Sequence, residues 1–213
     1  MGRTKFHPLY ILAILYTVTV YLFPLLLYAL SQGGEDSRYK ILQLIPLFLP
    51  GLMGIVNLIA VLFTRSRTDR EVFLHCAVII KYCLVPFYLI GGTCIALAWL
   101  LTFTPVVIMV FVGPAVAVSF TIMGYISLLG SAPFAITYIV KSCKAGVHSM
   151  PVAIAGSILQ FFFIGDTITM IVLSLKERKC VKAFIALAAV LVLAVICLIG
   201  GIIQLVAYSL IKK

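Results

Sequence analysis

Charge is what this sequence most conspicuously lacks. Only 10% of its 213 residues are charged, and just six of those are acidic; there are three histidines and one tryptophan. A soluble domain usually carries about 25% charged residues, so this chain cannot cover a water-facing surface. The shortage also removes most chemistry. Two buried carboxylates, as a diaspartyl protease needs, are absent, because Asp166 is the only acid inside an apolar run. No H-E-x-x-H occurs, and Glu71 and His75 have the wrong order and spacing for a zinc protease. Ser127 and Ser131 could serve a serine peptidase, but His148 lies in a polar connector. No C-x-x-C exists for disulfide exchange, and no repeat, low-complexity tail or soluble domain is visible. The chain therefore reads as a non-enzyme with no cofactor and no metal site.

What is there is apolar. Hydrophobic residues make up 64% of the chain and mean hydropathy is +1.25. Runs at 8–30, 41–64, 150–175 and 184–211 are each long enough to cross a bilayer, which takes about 20 helical residues. The first has a basic start and could resemble a signal peptide. At 23 residues from Pro8 to Leu30, however, it exceeds a signal's apolar region and reads as a retained first span. Phe6 stands where myristoylation needs Ser or Thr. The expected fold is an all-α, polytopic transmembrane bundle forming a single integral membrane domain over 1–213.

Residues 72–140 contain one charge, Lys81. Two straight helices there would each be far longer than the ~30 Å core. Gly91-Gly92 and Gly113-Pro114 permit tight turns, so the expectation is three spans, at about 72–90, 93–112 and 115–140, and seven in all. The alternative is six, with 71–82 and 131–144 as amphipathic shoulders at the surface and Lys81 snorkelling to water. With seven spans, nine Lys and Arg residues (3, 5, 65, 67, 70, 176, 178, 179, 182) share the amino-terminal side and six (38, 40, 141, 144, 212, 213) the other. The positive-inside rule then puts the amino terminus in the cytoplasm. Six spans give ten against six, Lys81 included. Seven is preferred because it keeps both dense basic loops, 65–70 and 176–182, inside. The net charge of +10 falls in short clusters between apolar runs, as orientation signals and lipid-headgroup contacts do, so the expected partner is the bilayer and not nucleic acid.

Lys81 and Asp166 are the informative pair. Each charge costs about 2.5–3.5 kcal/mol at a helix centre, so such groups face the protein interior or water and find partners. In the seven-span arrangement both lie about 15 Å deep from the same side. Lys81 shares a helix face with Ala77, Val78, Val85 and Tyr88, and Asp166 with Phe162, Phe163, Thr169 and Met170. The candidate intramembrane site is Lys81, Tyr88, Phe162, Phe163 and Asp166, a substrate or proton site on one reading and a structural lock on the other. His75 beside Cys76 lacks a second intramembrane histidine and reads as a helix-end residue satisfied by a carbonyl or a lipid headgroup. Asn57 is an interhelical hydrogen-bond donor. Gly92 with Ala96, Ala115 with Ser119 and Ala153 with Ser157 are small-residue pairs that let helices approach. Pro24, Pro46, Pro50, Pro86, Pro114 and Pro133 fall inside or between spans, as in the broken helices of transporters, but proline is also simply commoner in membrane helices, and that reading is preferred.

The strings Ile79-Ile80-Lys81-Tyr82, Pro86-Phe87-Tyr88-Leu89-Ile90-Gly91-Gly92, Phe111-Val112-Gly113-Pro114, Gly146-Val147-His148 and Gln160-Phe161-Phe162-Phe163 through Asp166 resemble those of small bacterial multi-span proteins grouped as a domain of unknown function. The resemblance implies an inner (plasma) membrane protein and supplies no catalytic or binding residue.

Two functions fit: a small transporter or permease-like component with its site at Lys81 and Asp166, or a non-catalytic accessory or immunity-type subunit packed against a larger membrane complex. A water-filled pocket at the pair would favour the first and a dry bridge the second. Four of the six cysteines lie within apolar runs; Cys143 and Cys180 flank a single span and cannot pair within a chain. An impermeant thiol reagent added to intact cells should label one of these two and spare the other. Labelling of both from one face would exclude 151–175 as a single crossing.

Overall fold

The computed structural model describes residues 7–31, 44–104, 107–178, 180–182 and 185–189. All regular structure among them is helical: α1 (Pro8–Ser31), α2 (Leu44–Thr64), α3 (Arg70–Thr102), α4 (Val107–Lys144), α5 (Met150–Leu159) and α6 (Phe163–Lys176), followed by helical residues at 181–182 and 185–189. The chain divides into two compact units, Met1–Met170 and Ile171–Lys213. In the second, the last turns of α6 end where Arg178 and Cys180 adopt positive φ, 53° and 57°. Most of the last apolar run lies outside the described residues, as do Arg38, Lys40, Lys212 and Lys213.

Four helices, α1 to α4, are long and apolar enough to cross a membrane. Their exposed residues are what a lipid-facing surface needs: Leu100, Phe103, Val107 and Phe111 are each at least 65% exposed, an arrangement that water would penalise. Serine and threonine hydroxyls are absorbed locally, as in Thr17 to the Ala13 carbonyl (3.0 Å) and Thr121 to that of Ala117 (2.8 Å).

Where three helices were expected within 72–140, the structure has two. Gly91-Gly92 sits inside α3 and Gly113-Pro114 inside α4. The reason is the solvent. A turn within hydrocarbon strands several backbone groups with no water to bond them, whereas proline inside a continuing helix removes one hydrogen bond. Beside Pro86 the Tyr21 hydroxyl reaches in from α1 and donates to the Cys83 carbonyl at 2.6 Å. The chain turns instead after Thr102, where Phe103 and Thr104 donate to the Leu100 and Leu101 carbonyls (both 3.1 Å), just ahead of Pro105. Gly113 serves the hairpin by packing: a Cβ there would stand 2.6 Å from the Ala98 carbonyl oxygen and also strike the Thr102 hydroxyl.

This division brings both ends of the pair α3–α4 into register. Lys141 near the end of α4 donates to the Thr68 carbonyl, and the Arg70 guanidinium lies 3.5 Å from the Ser142 hydroxyl. The basic segments 65–70 and 141–145, which the seven-span arrangement places on opposite faces, stand at the same end. The shoulders of the six-span alternative are corrected too. Phe73, Leu74, Ala77, Ile80 and Leu84 on α3 and Phe134, Ala135, Tyr138 and Ile139 on α4 are the enclosed core, not a surface.

Three helices meet at Gly130 of α4. The Asn57 amide of α2 donates to its carbonyl (3.0 Å), Tyr16 of α1 donates to the neighbouring Ser127 carbonyl (2.8 Å), and a Cβ on Gly54 would lie 3.0 Å from the Gly130 Cα. Asn57 is thus the interhelical donor expected. Of the small-residue pairs, Gly92 packs against nothing among the described residues, and Ala153 is enclosed. Gly54, Gly113 and Gly130 make the close approaches. A Cβ at Gly130 would strike the ring of Tyr16, which is fully enclosed and cannot move without losing its hydrogen bond. Gly130→Ala should therefore cost about 1–3 kcal/mol, as overpacking does. Gly92→Ala should be neutral or stabilising. Thermal unfolding of the purified protein in detergent checks both, and equal midpoints would overturn this account.

Candidate functional site

Lys81 and Asp166 meet. The Lys81 ammonium pairs with Asp166 Oδ1 and donates to Gln160 Oε1 at 2.7 Å. Lys81 is 1% exposed, and Asp166 and Gln160 are fully enclosed. Lys81 lies eleven residues into α3 from Arg70, a rise of about 16 Å, so it does not snorkel. A lone ammonium at that position would be costly, and three features offset the cost: the carboxylate, the Gln160 oxygen and the local helix ends.

Those ends exist because the run 150–175, expected as one span, is broken. α5 stops at Leu159, residues 160–162 turn, and α6 starts at Phe163. Gln160 drives the break. Its side-chain amide donates to the Gly156 carbonyl (3.1 Å), the acceptor its own backbone N–H would take in a continuing helix, while that N–H turns to Ser157 (3.3 Å). Phe161 and Phe162 follow with i to i−3 bonds of 3.1 Å each. The consequence is electrostatic. Gln160, at the carboxyl end of α5 where helix carbonyls carry partial negative charge, meets the ammonium. Asp166 lies in the first turn of α6, where amide groups carry partial positive charge. Each charge of the pair therefore has a helix end of opposite sign.

Phe163 holds the start of α6. Its ring meets Tyr88 of α3 edge-on at 5.7 Å and Tyr125 of α4 at 4.6 Å, and Gly124 leaves it room. Of the residues expected at the site, Lys81, Asp166, Tyr88 and Phe163 thus lie on the elements that form it. Phe162 does not; the turn at 160–162 swings its ring outward to 57% exposure. Gln160 was not expected. In an unbroken helix it would stand six residues, or about 120° of rotation, away from Asp166, and the only available signal was a lone amide in an apolar run. Among the described residues Asp166 Oδ2 and the Tyr88 hydroxyl have no hydrogen-bond partner. Elsewhere, His75 Nδ1 lies 3.2 Å from the Tyr10 hydroxyl of α1, a side-chain partner on another helix and not the carbonyl or headgroup expected. Ser127 and Ser131 donate to the Met123 and Leu128 carbonyls of their own helix. Among the described residues no three His, Cys, Asp or Glu cluster as metal ligands would.

An all-helical chain with four membrane-length helices and an enclosed ion pair at a helix break is the class these observations define. The chain belongs to DUF6652, a family of unknown function, which matches residues 6–180. No curated protein and no solved structure matches it.

Breaking a buried pair by neutralising one partner typically costs 3–5 kcal/mol, because the other charge is stranded. Lys81→Met and Asp166→Asn should each lower the thermal midpoint strongly, and the double variant should regain much of the loss. Gln160→Leu should fall between. Strictly additive losses in the four-variant cycle would show that the pair is not energetically coupled.

Proposed function

We propose that this protein is a multi-pass integral protein of the inner (plasma) membrane, non-catalytic, acting as an accessory subunit that packs against other membrane proteins. The observation that carries this reading is the enclosure of Lys81, Gln160 and Asp166: neither cleft described below reaches them, and a dry bridge locks helices more readily than it passes a solute. Gly91 and Gly92 add support. They sit in mid-α3, where glycine weakens a helix, yet nothing among the described residues packs on them. A bare small-residue face of this kind suits close approach by a helix of another subunit.

Transport remains a second reading, favoured by one feature. Discontinuous helices with a charged residue at the break are how many transporters build their sites, and the turn at 160–162 beside Asp166 has that form. The two readings differ in hydration of the pair.

For topology we propose six crossings, with the amino terminus in the cytoplasm. α3 and α4 supply two crossings between the basic segments 65–70 and 141–145, so both lie on one side, and both become cytoplasmic under the positive-inside rule. The apolar runs 150–175 and 184–211 supply the last two.

Single cysteines at Ser66 and Ala145 should both resist an impermeant thiol reagent in intact cells and react in inverted vesicles; labelling at 145 alone in intact cells would restore seven spans. In a Lys81→Met background, Asp166→Cys should be inert to small hydrophilic thiol reagents from either face. Ready reaction would overturn the dry-bridge reading in favour of transport. A photo-crosslinker at position 92 should give a discrete protein adduct in cells, and adducts with lipid alone would remove the accessory role.

A further inference from the structure

Two clefts open at the basic end of the first unit and share a wall. The larger, about 780 Å³, runs between α2 and α4; Leu58, Leu62 and Ile136 are part of its apolar lining, and Arg65, Lys141 and Lys144 stand at its mouth. The smaller, about 410 Å³, lies over the start of α3 and adds Arg67 and Arg70 while sharing Ser66, Lys141 and Lys144. The larger has a clear origin. α2 and α4 touch at Gly54 and Gly130, where no side chain separates them, and beyond that crossing the side chains on both helices are large. Its α4 wall extends from Leu129 to Lys144. Fifteen helical steps make roughly 22 Å, more than the depth of one leaflet, about half of a ~30 Å core.

The polarity of this space is graded. Its inner part is apolar and its mouth is cationic. Arg65, Arg67 and Lys144 have no side-chain hydrogen bond or ion pair among the described residues, so their charge is available. Lys141 is fixed where the clefts join, by its bond to the Thr68 carbonyl and by the Phe73 ring 5.3 Å away. Among the described residues of this unit, the acids at this end are Asp69 and Glu71, too few to cancel Arg65, Arg67, Arg70, Lys141 and Lys144. Apolar depth with a cationic mouth at the level of the headgroups is the complement of an amphiphile with an anionic phosphate head.

We propose that the joined clefts bind one anionic phospholipid, an acyl chain between α2 and α4 and its phosphate at Arg65, Lys141 and Lys144. The proposal rests on the chain crossing a bilayer with this end at the headgroup level. Occupancy would close the gap that the Gly54–Gly130 crossing leaves.

The test uses the full chain purified in detergent. Phosphatidylglycerol, phosphatidylcholine and inorganic phosphate are titrated separately while the thermal midpoint is followed. Phosphatidylglycerol should raise the midpoint saturably, at concentrations at least fivefold below any effect of phosphatidylcholine, and inorganic phosphate should do nothing. The Arg65→Gln, Lys144→Gln double variant should keep its lipid-free midpoint and lose the response, since neither side chain holds the fold together. Ile136→Trp, which fills the apolar depth, should lose it as well. An equal response to both lipids, or a response that survives the double variant, would overturn the site. Reproduction by inorganic phosphate would replace the lipid with a free anion. Alkaline carbonate extraction of membranes keeps the two levels apart: release of the chain refutes the membrane reading itself, whereas retention with no lipid preference refutes only the cleft.

Discussion

An ammonium group out of reach of water is the constraint around which the packed half of this molecule is arranged. Lys81 needs a carboxylate, and Asp166 supplies it; it needs a further acceptor, and Gln160 supplies that. Both arrive on a segment that had to stop being a single helix to present them together. The break costs backbone hydrogen bonds that a bilayer does not replace. It is tolerated because the same turn gives each charge a helix end of opposite sign, and because the Gln160 side chain takes over the acceptor its own backbone releases.

Helices α1, α2 and α4 show the complementary principle, in which side chains are removed so that backbones can meet. Between lipid-facing helices the hydrophobic effect gives little net drive, since lipid tails are as apolar as leucine, and close packing with interhelical hydrogen bonds must serve instead. Gly130 makes this possible for α1, α2 and α4 at once: it admits the Tyr16 ring, allows Gly54 to touch, and offers its carbonyl to Asn57. The core stated by composition as merely apolar is thus held in register by a few polar contacts between small residues.

How much of this could be read from the sequence depended on how rare the signal was. Lys81 and Asp166 stood out because nothing else ionisable lay in their runs, and burial physics alone linked them. Asn57 was legible for the same reason. The helix boundaries in 72–140 were not, because glycine and proline pairs were read by rules that hold in water, where a turn can be solvated. The helix stops instead at Thr102, where the sequence carries no glycine and no glycine-proline pair to mark a turn. Gln160 was hidden by helical periodicity itself, since the residue that breaks the helix cannot be placed by assuming the helix continues. Phe162 was misplaced by the same assumption.

The sequence separation of the ion pair has a consequence for how the protein is made. Lys81 and Asp166 are 85 residues apart, so at a synthesis rate of about 5–20 residues per second the lysine emerges roughly 4 to 17 seconds before its partner exists. On the proposed topology α3 enters the bilayer during that interval with an unpaired ammonium, at a cost of about 2.5–3.5 kcal/mol. Each leucine, isoleucine, valine or phenylalanine at mid-helix offsets about 0.3–0.6 kcal/mol on the same scale. On that topology, the excess of such residues along α3, many of them facing outward and unneeded for internal packing, lets the helix commit to the membrane ahead of the carboxylate that later settles it.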